Sequence, residues 1–159
     1  MLIDTTRFGA ISIDDEQIVT FPEGLPGFEE TRRFVFLPHP TGAESALRWM
    51  QCVDQPRLAF PVVSPWQIDP TYAPTVPGGA LRDLGISDIR RQARLWAIVT
   101  IPRDHPQRCT ANMLAPVLIN RETKQARQVI LLGDAYSLRM PLYSEPQPAP
   151  EAEPALAAH

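Results

Sequence analysis

Eighteen prolines recur along the whole of this 159-residue chain. Proline lacks a ladder donor and cannot sit in a helix interior. Long helices are therefore nearly excluded, and short strands with proline-marked ends or bulges remain. The length fits one domain, enough to bury most of its apolar surface without a disulfide or a metal.

Period-2 alternation supplies the strands. Ile3 to Phe8, Ile11 to Ile13 and Ile18 to Phe21 read as an N-terminal meander, with Gly9 permitting a tight turn. Glu29 to Arg33 reads as one short helical turn and Phe34 to Leu37 as a strand. Leu47, Trp49, Gln51 and Val53 alternate with Arg48, Met50, Cys52 and Asp54, and Leu58 to Ser64 returns as a hairpin partner. Pro61 inside that return predicts an edge position or a bulge. Arg94 to Ile101 is apolar on both faces and reads as the most buried central strand. Cys109 to Asn120 and Arg127 to Leu132 form a last long hairpin, and Tyr136 to Tyr143 closes the domain.

Between these lie loops. Residues 65–79 hold Pro65, Pro70, Pro74, Pro77 and Gly78-Gly79, a long loop that Trp66, Ile68 and Tyr72 pack against the body. One helical region fits, Leu81 to Ala93, broken by Gly85, with Ser87 capping its second half and Ile89 facing inward. The expected fold class is all-β with one or two short helices, a small antiparallel β-barrel-like domain over residues 1–144. Residues 145–159 are dominated by proline, alanine and glutamate. They bury too little surface to offset ordering entropy and read as a flexible tail, inert or assisting docking to a basic partner.

The chemistry-bearing residues make no catalytic constellation. His39, His105 and His159 have no zinc-ligand spacing, and Asp14-Asp15-Glu16 lacks the alternation of a calcium loop. Ser64 or Cys109 paired with His105 has no supporting local sequence. No cofactor and no metal are expected. Cys52 and Cys109 read as small core residues. Asp69, Asp83, Asp88 and Asp104 read as turn caps or solvated groups. Arg90, Arg91 and Arg94 read as a solvated face with local carboxylate partners. A formal charge of -3 gives no global attraction to nucleic acid or membrane. With no apolar run near the roughly 20 residues of a membrane span and no signal-peptide pattern, the expected compartment is the cytoplasm.

Several ordered pieces resemble the flagellar assembly factor FliW family over nearly all of residues 1–144. They are Phe8-Gly9 before Ile11-Ser12-Ile13, and the loop Phe21-Pro22-Glu23-Gly24-Leu25-Pro26-Gly27-Phe28-Glu29. Trp49-Met50-Gln51, Leu58-Ala59-Phe60 and Ala97 to Pro102 follow. Asn112-Met113-Leu114-Ala115-Pro116, Asn120, Thr123, Gln128 to Leu131, Tyr136, Arg139 and Pro141 complete the series. Ala126 departs from it, standing where the family hairpin commonly has glycine.

The resemblance implies a non-enzymatic, chaperone-like protein that acts through two protein partners; the free chain is expected to be a monomer. It would bind flagellin and the dimeric translational regulator CsrA, relieving CsrA repression of flagellin translation. Asp14, Asp15, Glu16, Glu23, Glu29 and Glu30 are candidates for the face that meets a basic partner. The contact residues expected are Glu23, Leu25, Pro26 and Phe28 in the rigid loop, with Tyr136, Arg139 and Tyr143 at the closing end. For Leu25 and Phe28 the competing reading is a plug at one end of a barrel. The alternative function is a small-molecule-binding β-barrel whose cavity is lined by Trp49, Trp66 and Trp96.

Overall fold

A computed structural model describes residues 1–38 and 46–142. The tail at 145–159, with Tyr143, His39 and His159, lies outside the described residues. Within them the chain is β-rich with a few four- to six-residue helices.

The first two strands, β1 (Leu2–Thr5) and β2 (Gly9–Ser12), pair antiparallel as a separate hairpin. Thr5 Oγ1 donates to the Gly9 carbonyl at 2.9 Å and accepts from the Phe8 N–H at 2.8 Å, holding the turn. The expected meander stops there. β3 (Val19–Thr20) leaves the hairpin and pairs with β4 (Arg33–Pro38), the first long strand of the main sheet. Residues 29–30 form a turn, not the expected helical turn.

The sheet continues through β5 (Arg48–Cys52), β6 (Ala59–Val63) and β7 (Ala93–Thr100) to β9 (Val117–Asn120) and β10 (Ala126–Gln128). Its order is β10-β9-β7-β6-β5-β4-β3. β8 (Thr110–Ala111) pairs with β7 and with β11 (Met140–Pro141). The two outermost strands meet through a single parallel bridge, Thr20 to Gln125. The sheet therefore curls toward a barrel without closing by a ladder.

Pro61 lies inside the sheet rather than at its edge, and the pairing accommodates it. The Cys52 N–H donates to the Leu58 carbonyl at 2.9 Å, so antiparallel alternation turns Pro61's donor-less nitrogen away from β5. On that side β6 pairs with β7 only at Val62 and Val63. No ladder bond is lost.

Alternation along β7 explains why both of its faces are apolar. Leu95, Ala97 and Val99 enter one core cluster with Leu118, Tyr72, Leu84 and Ile86. Trp96 and Ile98 enter another with Phe21, Leu25, Phe34, Met50 and Val117. A sheet covered on both sides needs continuous apolar strands at its centre. A third, smaller cluster forms where Ile3 and Ile13 of the N-terminal hairpin region cover Val35 and Val53.

Short helices cover the first cluster. α1 (Pro65–Ile68) interrupts the expected long loop. The expected helical region is two pieces, α2 (Gly78–Asp83) and α3 (Ile89–Gln92), separated around Gly85. Ile89 packs inward as expected. The cap of α3 is Asp88, whose carboxylate accepts from the Arg90 N–H at 3.1 Å; Ser87 bonds Gln92 instead. Asp69 caps a turn at Thr71, and Asp83 pairs with Arg127 at 2.8 Å. Asn120, 2 % exposed, ties this layer to the sheet by donating to the Leu84 carbonyl at 2.8 Å.

Candidate protein-docking surfaces

The loop at 22–29 is a built structure. Gly24 has φ +71°, and a Cβ there would sit 2.4 Å from the Glu29 carbonyl oxygen. Only glycine allows this approach. Leu25 and Phe28 exchange backbone hydrogen bonds across Pro26-Gly27, with Gly27 at φ +84°. Proline then glycine at positive φ is the signature of a type II turn. The Arg32 guanidinium donates to the Pro22 carbonyl, and the Glu29 carboxylate accepts from the Gly27 N–H at 3.1 Å.

This geometry divides the residues expected to touch a partner. Leu25 is 2 % exposed and belongs to the core, as the plug reading expects. Glu23 and Pro26 are exposed. Phe28 is 43 % exposed, with its ring edge-on to Phe60 at 5.6 Å between centroids. It is held in place yet half presented. Asp14, Asp15, Glu16, Glu29 and Glu30 are also exposed.

The closing end lies on the other core cluster. The Tyr136 ring packs tilted at 60° against Tyr72 at 4.5 Å between centroids, and its hydroxyl accepts from the Ala73 N–H at 2.7 Å. Tyr72 in turn donates to the Met113 carbonyl at 2.7 Å. Burial, then the neighbouring Tyr136, pushes the Tyr72 hydroxyl pKa far above its ordinary value. Tyr136 is thus a half-buried strut; Arg139 is exposed. The loop of Phe28 and the segment of Tyr136 pack on different clusters, so they are not one continuous patch built on a shared core.

Two surfaces escaped the sequence reading. Of nine large apolar residues exposed among the described residues, Ile130, Leu132, Leu138 and Met140 fall within eleven consecutive positions. Val129 and Leu131 point into the core and bond the Pro116 and Leu114 carbonyls, which turns Ile130 and Leu132 outward. The alternation was visible in the sequence; which phase faced water was not.

The second is an open groove of about 720 Å³ lined by Trp66, Tyr72, Pro74, Arg90, Arg94 and Arg121 among others. Trp66 is 41 % exposed although its indole N–H donates to the Tyr72 carbonyl at 2.9 Å. Among the described residues, Arg90, Arg94 and Arg121 have no carboxylate partner. Arg94 lies over the Trp96 ring instead, at 5.2 Å. The expected local ion pairs of Arg90, Arg91 and Arg94 are not formed among the described residues.

The three tryptophans do not line one cavity. Trp49 and Trp96 are buried at 7 % and 8 %, Trp49 beneath Arg7, and of the three only Trp66 lines the groove. The thiols are equally unsuited to attack. Cys52 and Cys109 are buried and free, and burial raises both pKa values. Cys109 Sγ is turned to the Pro106 carbonyl at 2.7 Å. No helix among the described residues is long and apolar enough to cross a membrane.

Comparison with known proteins agrees with this fold. The family model described as FliW protein matches residues 2–142. The flagellar assembly factor FliW of Bdellovibrio bacteriovorus is 38% identical over 157 residues, 99% of this chain and 87% of the relative. The flagellar assembly factor FliW of Moorella thermoacetica is 36% identical over 145 residues, 91% of this chain and 90% of the relative. A crystal structure of a flagellar assembly factor FliW superposes with a TM-score of 0.80 at 31% identity, covering 91% of this chain and 98% of that one. The match spans every strand of the sheet, and the chain belongs to the FliW family of flagellar assembly factors.

Proposed function

We propose that this chain is a non-enzymatic, chaperone-like binding protein that captures flagellin and, in exchange, the translational regulator CsrA in the cytoplasm. Holding CsrA relieves its repression of flagellin translation. Accumulating flagellin occupies the chain, releases CsrA and lowers translation. The free chain is a monomer in this reading.

The observation that carries it is the exposure of four large apolar residues, Ile130, Leu132, Leu138 and Met140, within eleven consecutive positions. Apolar side chains gathered in one segment and held outward by a bonded backbone mark a protein-contact surface. The preformed loop of Glu23, Pro26 and Phe28 adds a second contact whose ordering is complete before binding, which lowers the entropic cost of association. Exposed carboxylates on a chain of net charge -3 complement a basic RNA-binding dimer. The exchange is a coupling between two binding equilibria, whether by overlap or at a distance.

The test is direct. The purified chain is mixed with flagellin and, separately, with CsrA, and each mixture is run by size exclusion. Co-elution with both, and displacement of CsrA by added flagellin, is the expected result. Failure to retain either protein refutes the proposal.

A further inference from the structure

The groove is both aromatic and cationic. Its walls combine an exposed tryptophan, a tyrosine and a proline with Arg90, Arg94 and Arg121, whose charges have no carboxylate partner among the described residues. Trp66 is fixed in place by its bond to the Tyr72 carbonyl and by edge-on contact with the Tyr72 ring at 5.4 Å. A tryptophan held rigid while keeping 41 % of its surface in solvent is a platform made before any ligand arrives. Aromatic-lined grooves of this kind take extended, proline-rich segments, because a polyproline II strand is already ordered and stacks its rings on the aromatic faces.

The sequence beyond Leu142 has that chemistry. Pro146, Pro148, Pro150 and Pro154 space it, Glu145, Glu151 and Glu153 charge it, and no Lys or Arg follows Arg139. The described chain ends beside the groove's own core cluster. Leu142 donates to the Cys109 carbonyl at 3.1 Å and packs with Tyr136 on the cluster that includes Tyr72 and Ile89. At about 3.1 Å per residue an extended strand from Leu142 reaches roughly 34 Å by Glu153. That exceeds twice the radius of gyration of about 14 Å expected for a domain of this size.

We propose that the segment Glu145 to Pro154 docks intramolecularly in the groove, its prolines on Trp66 and its carboxylates toward Arg90, Arg94 and Arg121. The contact is a self-ligand, independent of which partners the chain captures. Its consequence is that an acidic, proline-containing segment of another protein would enter the groove only by displacing the chain's own. Tethering gives an effective concentration near a millimolar, so even a millimolar contact fills roughly half the grooves.

The experiment reads acrylamide quenching of Trp66 in the full chain, with Trp66→Phe subtracting the two buried tryptophans. The segment's charge is reversed by Glu145→Lys, Glu151→Lys and Glu153→Lys together, with an unchanged thermal midpoint as the control for folding. Quenching of Trp66 should then rise by about twofold. Arg90→Glu with Arg121→Glu should do the same, and so should about 0.5 M salt, where screening reaches only a few ångströms. Combining both sets of reversals should restore protection. Equal quenching in wild type and the triple lysine variant overturns the proposal. So does a rise in the arginine variant that the combined variant fails to reverse, which would assign the effect to the groove's own structure.

Discussion

The backbone N–H of Thr20 donates to the carbonyl of Lys124 at 2.9 Å and joins the two outer edges of the sheet. Lys124 is the single lysine of the chain and, among the described residues, the one non-glycine residue at positive φ, +63°. The loop from Asn120 to Gln125 turns there, with the Lys124 N–H bonded to Asn120 and the Asn120 N–H to Gln125. Ala126, which stands where the family hairpin commonly has glycine, lies beyond this turn, buried at 1 % and paired with Ile119. The left-handed residue precedes it by two positions.

Relief of that strain should be measurable. Lys124→Gly removes a left-handed penalty of about 1 kcal/mol, offset in part by unfolded-state entropy. The melting temperature should rise by up to about 3 °C. Lys124→Val, β-branched at the same φ, should lower it. A fall in both variants would show that the lysine side chain, not the backbone, holds the turn.

Gly24→Ala should be far more damaging than its size suggests. The added methyl meets the Glu29 backbone at 2.4 Å, and the residue sits at φ +71°. Strain and displacement of the loop should cost about 2–3 kcal/mol or more. Denaturant titration checks this; an unchanged midpoint would mean that the loop shifts freely.

Phe28→Ala and Glu23→Lys, made separately, should weaken partner capture while costing less than about 1.5 kcal/mol of stability, the scale of one edge-on aromatic contact. Leu25→Ala is the control. It empties a core position and should cost about 2–5 kcal/mol. Calorimetric binding beside thermal melts separates the two effects. Unfolding of Phe28→Ala at ambient temperature would place Phe28 in the core with Leu25.

Alkaline stability should be limited by Tyr72. Its folded pKa lies above the ordinary value of 10.0 because burial disfavours the phenolate. The unfolded state therefore loses its proton first as pH rises, and the stability contribution, complete below pH 10, declines above it. Cys52 and Cys109, raised from 9.0 by burial, add the same sign from about one unit lower. Chemical denaturation from pH 8 to 11 should show a falling midpoint above about pH 9. Tyr72→Phe, less stable at neutral pH through its lost bond to Met113, should show a shallower decline. An equal slope in both proteins would remove Tyr72 from the account.

Much of this was legible in residues of one type at one period. The apolar alternation of Leu95 to Val99 marked the central strand, and the Pro-Gly pairs of residues 22–27 marked a rigid loop. Gly85 marked the break between α2 and α3. The errors have physical causes. Pro61 looked like an edge residue because sequence alone gives no direction to its nitrogen. For Leu25 both a plug and a presented contact stood open, because a loop residue's burial depends on what closes over it. Arg90, Arg91 and Arg94 were expected to have local carboxylate partners because composition does not say which carboxylates are already engaged; Asp88, for one, caps the helix.

Local chemistry alone determined that this chain would be built of short strands and proline-fixed turns, since backbone restrictions act within a few residues and need no distant partner. Only tertiary structure decided that Trp66 and Arg121, far apart in sequence, line one groove, and that Ile130 rather than Val129 faces water. Those outcomes depend on how the sheet curls and which helices cover it. They come from long-range packing, which a one-dimensional pattern constrains but does not specify.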